Sequence, residues 1–278
     1  RTTIDYITIA QTGNAVDFGD VSIAIRNPVG GSSPTRGLFA LGRNTSGTDL
    51  NSIDFLTIST QGNTADFGDL LFTGKYGAGG SNAVRCLMTK GDGNVNTVNF
   101  VTIATLGDAL DFGDLNFPRY QPGACSSPTR GVVAAGQANP ANLTHIDFFT
   151  IASKGNALHF GDLGNDAYGG SSGASSTRGI FGAFENDKKH IHYITIASTG
   201  NSVYFGDLNT PFSSCASGTV SSQTRAVIAG GRNPANVNTI ESVEIASTGN
   251  AVDFGDRIIK AQQFAGLSDS HGGLGGGF

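Results

Sequence analysis

The residues best placed to do chemistry are pairs of aspartates. DFGD stands at 17–20, 66–69, 111–114 and 253–256, with HFGD at 159–162 and YFGD at 204–207. Two carboxylates three residues apart could ligate a hard cation or divide acid and base roles. Their spacing argues otherwise. The closing aspartates Asp20, Asp69, Asp114, Asp162, Asp207 and Asp256 are separated by 49, 45, 48, 45 and 49 residues, which is the period of a repeat protein. A group copied once per repeat occupies six separate places, whereas catalysis needs different groups converging on one pocket. The triplets Phe18-Gly19-Asp20, Phe67-Gly68-Asp69, Phe112-Gly113-Asp114, Phe160-Gly161-Asp162, Phe205-Gly206-Asp207 and Phe254-Gly255-Asp256 are therefore expected to be scaffolding. Backbone amides or the recurring Arg36, Arg85, Arg130, Arg178 and Arg225 are the expected partners of the aspartates. The first tetrad position drifts to His159 and Tyr204, as an exposed position can.

Other candidate chemistry is sparse. His190 and His192 flank Ile191 and could point the same way from one strand, but neither a carboxylate nor a third histidine follows nearby, and surface polarity is the plainer reading. Cys86, Cys125 and Cys215 show no CxxC spacing and read as small buried apolar side chains. There is no phosphate-binding glycine motif, so no cofactor and no metal is expected. Asp49, Asp166, Glu185 and Asp187 supply the carboxylates a glycan-cleaving enzyme would need, but nothing in the sequence brings them together. The net charge is −5 with no basic cluster, which argues against nucleic acid as a partner. No run of 18 apolar residues and no basic-then-apolar leader occurs, so neither membrane insertion nor an intact signal peptide is expected; Arg1 in place of Met suggests a processed terminus.

The elements that must position these residues are strands. IDYITIA (4–10), IDFLTIS (53–59), VNFVTIA (98–104), IDFFTIA (146–152), IHYITIA (191–197) and IESVEIA (240–246) are rich in β-branched and aromatic residues. A Gly-Asn or Gly-Asp pair stands between each of them and the following tetrad, suggesting a hairpin closed by a type II′ turn. Upstream runs TRGLFALG (35–42) and its relatives, preceded by very small residues such as GGSS (30–33), as suits a strand squeezed where sheets converge. Four strands per repeat make the blade of a β-propeller. The chain starts at the third strand of a blade, and QFAGLSDSHGGLGGGF (263–278) aligns with the first two. The expectation is a single all-β domain over 1–278, a six-bladed propeller closed by pairing strands at about 4–20 with strands at about 263–278, which hides the sheet edges.

With a glycine-ended strand, an aromatic hairpin strand and a small-residue strand, this pattern resembles the kelch repeat, with Phe18 and its equivalents standing where kelch blades carry tryptophan. More closely, IASTGN (196–201 and 245–250), followed by FGD, and CSSPTRG (125–131) resemble repeats of structural and tail-fibre-like proteins of marine tailed phages, cyanophages especially. That resemblance implies a virion or extracellular protein whose partners are other virion proteins, a host surface glycan or a receptor.

Up-and-down strand order puts the Gly-Asn turns and Ser-x-Thr-Arg corners on one near-constant face and the diverging loops on the other. Recognition tends to reside on loops carried by a rigid ring. The candidate ligand face comprises Arg26, Arg43, Lys75, Tyr76, Arg119, Tyr120, Tyr168, Lys188, Lys189, His190, Phe212 and Arg232. The expected function is non-enzymatic binding, the alternatives being a purely architectural virion subunit, a cellular kelch-like interaction module or a glycan-cleaving enzyme.

Overall fold

A computed structural model describes residues 1–93, 95–138, 141–185, 189–211 and 219–274. Five antiparallel sheets are arranged as propeller blades, each running through four strands from an inner strand at the axis to an outer strand at the rim, and the sheet of blade three carries a further two-residue strand, Gln137–Ala138. Blade one is Val29–Ser32, Arg36–Ala40, Leu50–Thr57 and Ala65–Gly74. Blade two is Gly79–Ser81, Arg85–Thr89, Thr97–Thr102 and Leu110–Asp114. Blade three is Gly123–Ser126, Arg130–Ala134, Ala141–Thr150 and Leu158–Ala167. Blade four is Ser171–Ala174, Arg178–Gly182, His190–Thr195 and Val203–Asp207. Blade five is Thr219–Ser221, Arg225–Ala229, Thr239–Glu244 and Val252–Asp256. The helix present among the described residues is one short turn, Gly272–Leu274, and none is long and apolar enough to cross a membrane.

The tetrad shapes every outer hairpin. In blade one Ile53 pairs with Gly68 and Asp54 with Asp66, so Phe67 is the extra residue of a β-bulge; the same shift recurs at Phe18, Phe112, Phe160, Phe205 and Phe254. The bulge turns each phenylalanine inward, where all six are buried. Five meet an aromatic of the third strand edge-on, with ring centroids 5.7–6.2 Å apart. Burying one such side chain stabilises the fold by about 1.5–3 kcal/mol. The first tetrad position is exposed in every copy.

Two expectations are corrected. The Gly-Asn pairs do not form two-residue hairpin turns. The turn comes earlier, where Gln11 N–H donates to Thr8 O at 3.0 Å and Thr60 N–H to Thr57 O at 3.1 Å, and the Gly-Asn pair then reaches sideways to the preceding blade. The sixth blade is not a four-stranded sheet either. The hairpin Thr3–Tyr6 and Val16–Asp20 is two-stranded, and residues 265–270 lie at the axis without strand pairing. Instead of running on as a second strand, the chain bends at His271 into the centre of the ring, where glycines alone fit: a Cβ on Gly272 or Gly273 would overlap the carbonyl oxygens of Ser175 or Ser81.

Candidate functional site on the loop face

The near-constant face is occupied by joints between neighbours. The carbonyl of each tetrad phenylalanine accepts from the glycine N–H of the next Gly-Asn pair at 2.8–2.9 Å, in the sequence Phe18–Gly62, Phe67–Gly107, Phe112–Gly155, Phe160–Gly200, Phe205–Gly249 and Phe254–Gly13. The last of these closes the ring. Each closing aspartate donates its N–H to the adjoining Asn or Asp side chain, as Asp20 does to Asn63 at 3.0 Å and Asp256 to Asn14 at 3.0 Å. Its carbonyl accepts a third bond, as Asp114 O does from Ala157 N–H at 2.8 Å. The tetrad glycine lies so close to its neighbour that a Cβ on Gly113 would overlap Gly155 O.

The recurring arginines do not pair with the tetrad aspartates. Arg36 Nη1 donates to Ile103 O, Arg85 to Ile151 O, Arg130 to Ile196 O, Arg178 to Ile245 O and Arg225 to Ile9 O, all at 2.8–3.0 Å. The first four also lie over the aromatic ring of their own third strand, 4.4–4.9 Å from its centroid. The guanidinium groups find acceptors in carbonyls one blade along, and Arg225 Nε also donates to Glu244 Oε1 at 3.0 Å.

A second ring of polar joints was not foreseen. Asp54 Oδ2 accepts from Ser22 Oγ at 2.5 Å, Asn99 Oδ1 from Leu71 N–H at 3.0 Å, Asp147 Oδ1 from Asn116 Nδ2 at 2.7 Å, and Glu241 from the N–H groups of Asn209 and Thr210 at 2.9 and 2.8 Å. Asp5 binds Arg257 through both oxygens at 2.9 and 3.1 Å. The one available sequence signal was a polar residue at the second position of an otherwise apolar strand motif.

On the loop face, connections from blades one to three meet. Asp49 accepts from Arg43 Nε at 2.5 Å and Lys75 Nζ at 3.0 Å, and Lys75 also reaches Asp92 at 3.0 Å. The hydrogen bond from Arg43, then that from Lys75, holds the Asp49 carboxyl down at about 2. Tyr76 and Tyr120 lie ring against ring with centroids 4.5 Å apart, and the Lys75 ammonium stands 5.6 Å from the Tyr76 centroid. Partial burial, then the hydrogen bond with Tyr76, pushes the Tyr120 phenol well above its usual range. This group borders the mouth of the axis, where successive crossovers are chained by Tyr76 N–H to Asn27 O, Gln121 N–H to Tyr76 O and Gly169 N–H to Gln121 O at 2.9–3.4 Å. Asn27, Tyr76 and Gln121 adopt left-handed backbone conformations there, φ 57°, 61° and 52°.

The remaining expected ligand residues are distributed differently. Arg119 is a correction, because its side chain is fully buried against Asp147 and does not face solvent. Burial draws its guanidinium below the ordinary arginine value despite that partner. Arg26 is exposed and paired in register with Arg43 on a two-residue ladder, and Tyr168 O accepts from Glu185 N–H at 2.9 Å. Lys189 and His190 approach Asp207 at 3.5 and 3.7 Å, while Arg232 Nε holds Pro234 O at 2.8 Å. Lys188, Phe212, Asp187 and Cys215 lie outside the described residues.

His190 and His192 do share a strand side, both edge-on to Tyr204, but His192 is buried and His190 exposed. Among the described residues no set of three His, Cys, Asp or Glu could hold a metal ion. Cys86 and Cys125 are buried free thiols, and burial pushes each up to about 12. No protein-family model matches the chain, and no curated protein is significantly similar to it.

Proposed function

We propose that this chain is a non-enzymatic, kelch-like propeller of a phage virion that binds a host surface glycan through its loop face. The observation that carries the reading is the Tyr76–Tyr120 pair, flanked by Arg43, Asp49, Lys75 and Asp92 at the mouth of the axis. Aromatic faces stack on the apolar side of sugar rings, and the surrounding charged and amide groups offer donors and acceptors for hydroxyls. The virion assignment rests on the resemblance of the repeats to phage tail-fibre-like sequences. Affinity at one such face would be modest, and several copies on a particle would strengthen attachment.

In the same reading the ring is six-fold, with its sixth position shared by the two ends of the described chain. The hairpin Thr3–Asp20 supplies the outer pair of strands and residues 265–268 the inner one, where Ser268 N–H donates to Ser32 Oγ at 3.2 Å and Ser268 O accepts from it at 2.7 Å.

Glycan arrays and whole host cells test the binding role. Retention should fall at least tenfold when Tyr76 and Tyr120 are both changed to alanine, and remain unchanged for Val203→Ser on the exposed outer strand. Absence of retention on either surface sinks the glycan reading and leaves the propeller intact.

A further inference from the structure

Where the chain turns in toward the mouth of the axis, Asn27, Tyr76, Gln121, Gly169 and Gln263 take left-handed backbone conformations, with φ between 52° and 68°. Asparagine enters that region more readily than most residues, commonly with its amide bonded to nearby backbone. Asn27 departs from that habit. It is 1% exposed, and among the described residues neither its Oδ1 nor its Nδ2 has a hydrogen-bond partner. The backbone shape alone does not demand asparagine, because a tyrosine, two glutamines and a glycine hold it in the other copies. Asn27 borders a cavity of about 10 Å³, whose other walls are Pro28, Tyr76, Gly77, Gln121, Pro122 and Gly169. Of these residues Tyr76 alone is partly exposed and the rest are buried, so the way in from solvent passes Tyr76.

We propose, resting on the glycan reading above, that this cavity is a subsite for one uncharged hydroxyl: the exocyclic hydroxymethyl of a neutral hexose whose ring lies on Tyr76 and Tyr120. The volume sets the size, since about 10 Å³ admits a single water-sized group. The amide sets the polarity. Asn27 Oδ1 accepts and Nδ2 donates, and a hydroxyl does both, so one oxygen completes the pair. Such a hydroxyl reproduces the bonds a water would make there. An ion is disfavoured, because no residue of the walls carries a countercharge and taking a charge out of water without one is costly. A ring hydroxyl is held close against the sugar, whereas the hydroxymethyl carries its oxygen one carbon farther out and can enter while the ring stays on the aromatic faces. A 6-deoxy sugar brings a methyl to an amide that needs a polar partner, a pentose brings nothing, and a uronic acid brings a charge and a second oxygen.

The test titrates the whole isotope-labelled chain with methyl glucoside, galactoside and mannoside, their 6-deoxy counterparts, methyl xyloside and methyl glucuronide, read by NMR at the Asn27 side-chain amide and at the Tyr76 and Tyr120 rings. At least one hexoside should move both sets of signals. Its 6-deoxy counterpart should bind at least tenfold more weakly, because a buried amide is then left without its partner. Asn27→Gly suits the backbone at φ 57°, so the fold is kept, and hexoside and 6-deoxy sugar should then bind within about twofold of each other. A sugar that moves the tyrosine signals and leaves Asn27 unmoved means that the cavity takes water alone; it overturns the subsite and leaves the aromatic site standing. Equal binding of a hexoside and its 6-deoxy form by the unaltered chain does the same, as does tighter binding of the glucuronide or discrimination that survives in Asn27→Gly. No response at either position to any sugar of the panel overturns the subsite and the glycan reading together.

Discussion

Blade three and the N-terminal hairpin Thr3–Asp20 are built from the same repeat and differ in the strands inside the bulged pair. Both have the bulged hairpin, both bury the tetrad phenylalanine, and both are joined to their neighbours by the same carbonyl-to-glycine bonds. Blade three adds Arg130–Ala134, which fills its interior with Val132 and Ala134 and sends Arg130 to Ile196. The hairpin Thr3–Asp20 has a cavity on that side. The comparison separates two tasks that a blade performs together. The outer tetrad closes the ring, and the second strand packs the wedge.

The largest expected effect comes from breaking a packed wedge. Phe160→Ala should cost about 3–5 kcal/mol in denaturant unfolding, because the ring is enclosed by blade three and its neighbour. Phe18→Ala should cost less than half of that, since Phe18 borders that cavity. Equal losses at the two sites would mean that the N-terminal hairpin is as tightly packed as the five blades.

The joints come next. Gly113→Ala places a Cβ against Gly155 O at φ +148°, and Gly255→Ala does the same against Gly13 O at φ +151°. The strain at each is about 1–3 kcal/mol. Gly113→Ala should lower the global unfolding midpoint. Gly255→Ala should mainly release the N-terminal hairpin, visible as faster exchange of the Gly13 and Ala15 amides before global unfolding.

A weaker effect follows from His271, which plugs the axis. Burial lowers its pKa below the ordinary 6.5, outweighing the favourable bond to Ser32 O. The unfolded chain therefore takes up a proton that the native ring resists, so stability should be level above pH 6.5 and decline as pH falls towards the folded value. Thermal melts of His271→Gln should show a flatter profile over that window.

The smallest change is expected on the loop face. Asp49→Asn removes a partly exposed network and should cost about 0.2–1 kcal/mol, mostly erased by 0.5 M salt. The carboxylate titrates well below its ordinary 3.8, so its contribution is present above that value and disappears only as pH falls towards 2. The same variant tested on glycans would show whether the network orients Tyr76 or merely accompanies it.

Much of the architecture could be read from residue order because it is encoded locally. A β-branched strand, a bulge requiring phenylalanine then a glycine at φ near +150°, and a small-residue strand each follow from neighbouring side chains, and their 45–49-residue recurrence makes a propeller. Partners across blades were not legible, because a hydrogen bond between Arg36 and Ile103 or Phe254 and Gly13 depends on which groups the ring brings within 3 Å. Burial of Arg119 escaped for the same reason: its partner, Asp147, stands 28 residues away inside an apolar strand. Only tertiary structure decided that residues 271–274 enter the axis. Glycine-rich chain has no side chains to bind it to one surface, so the space available around it, more than its own preference, determines its path.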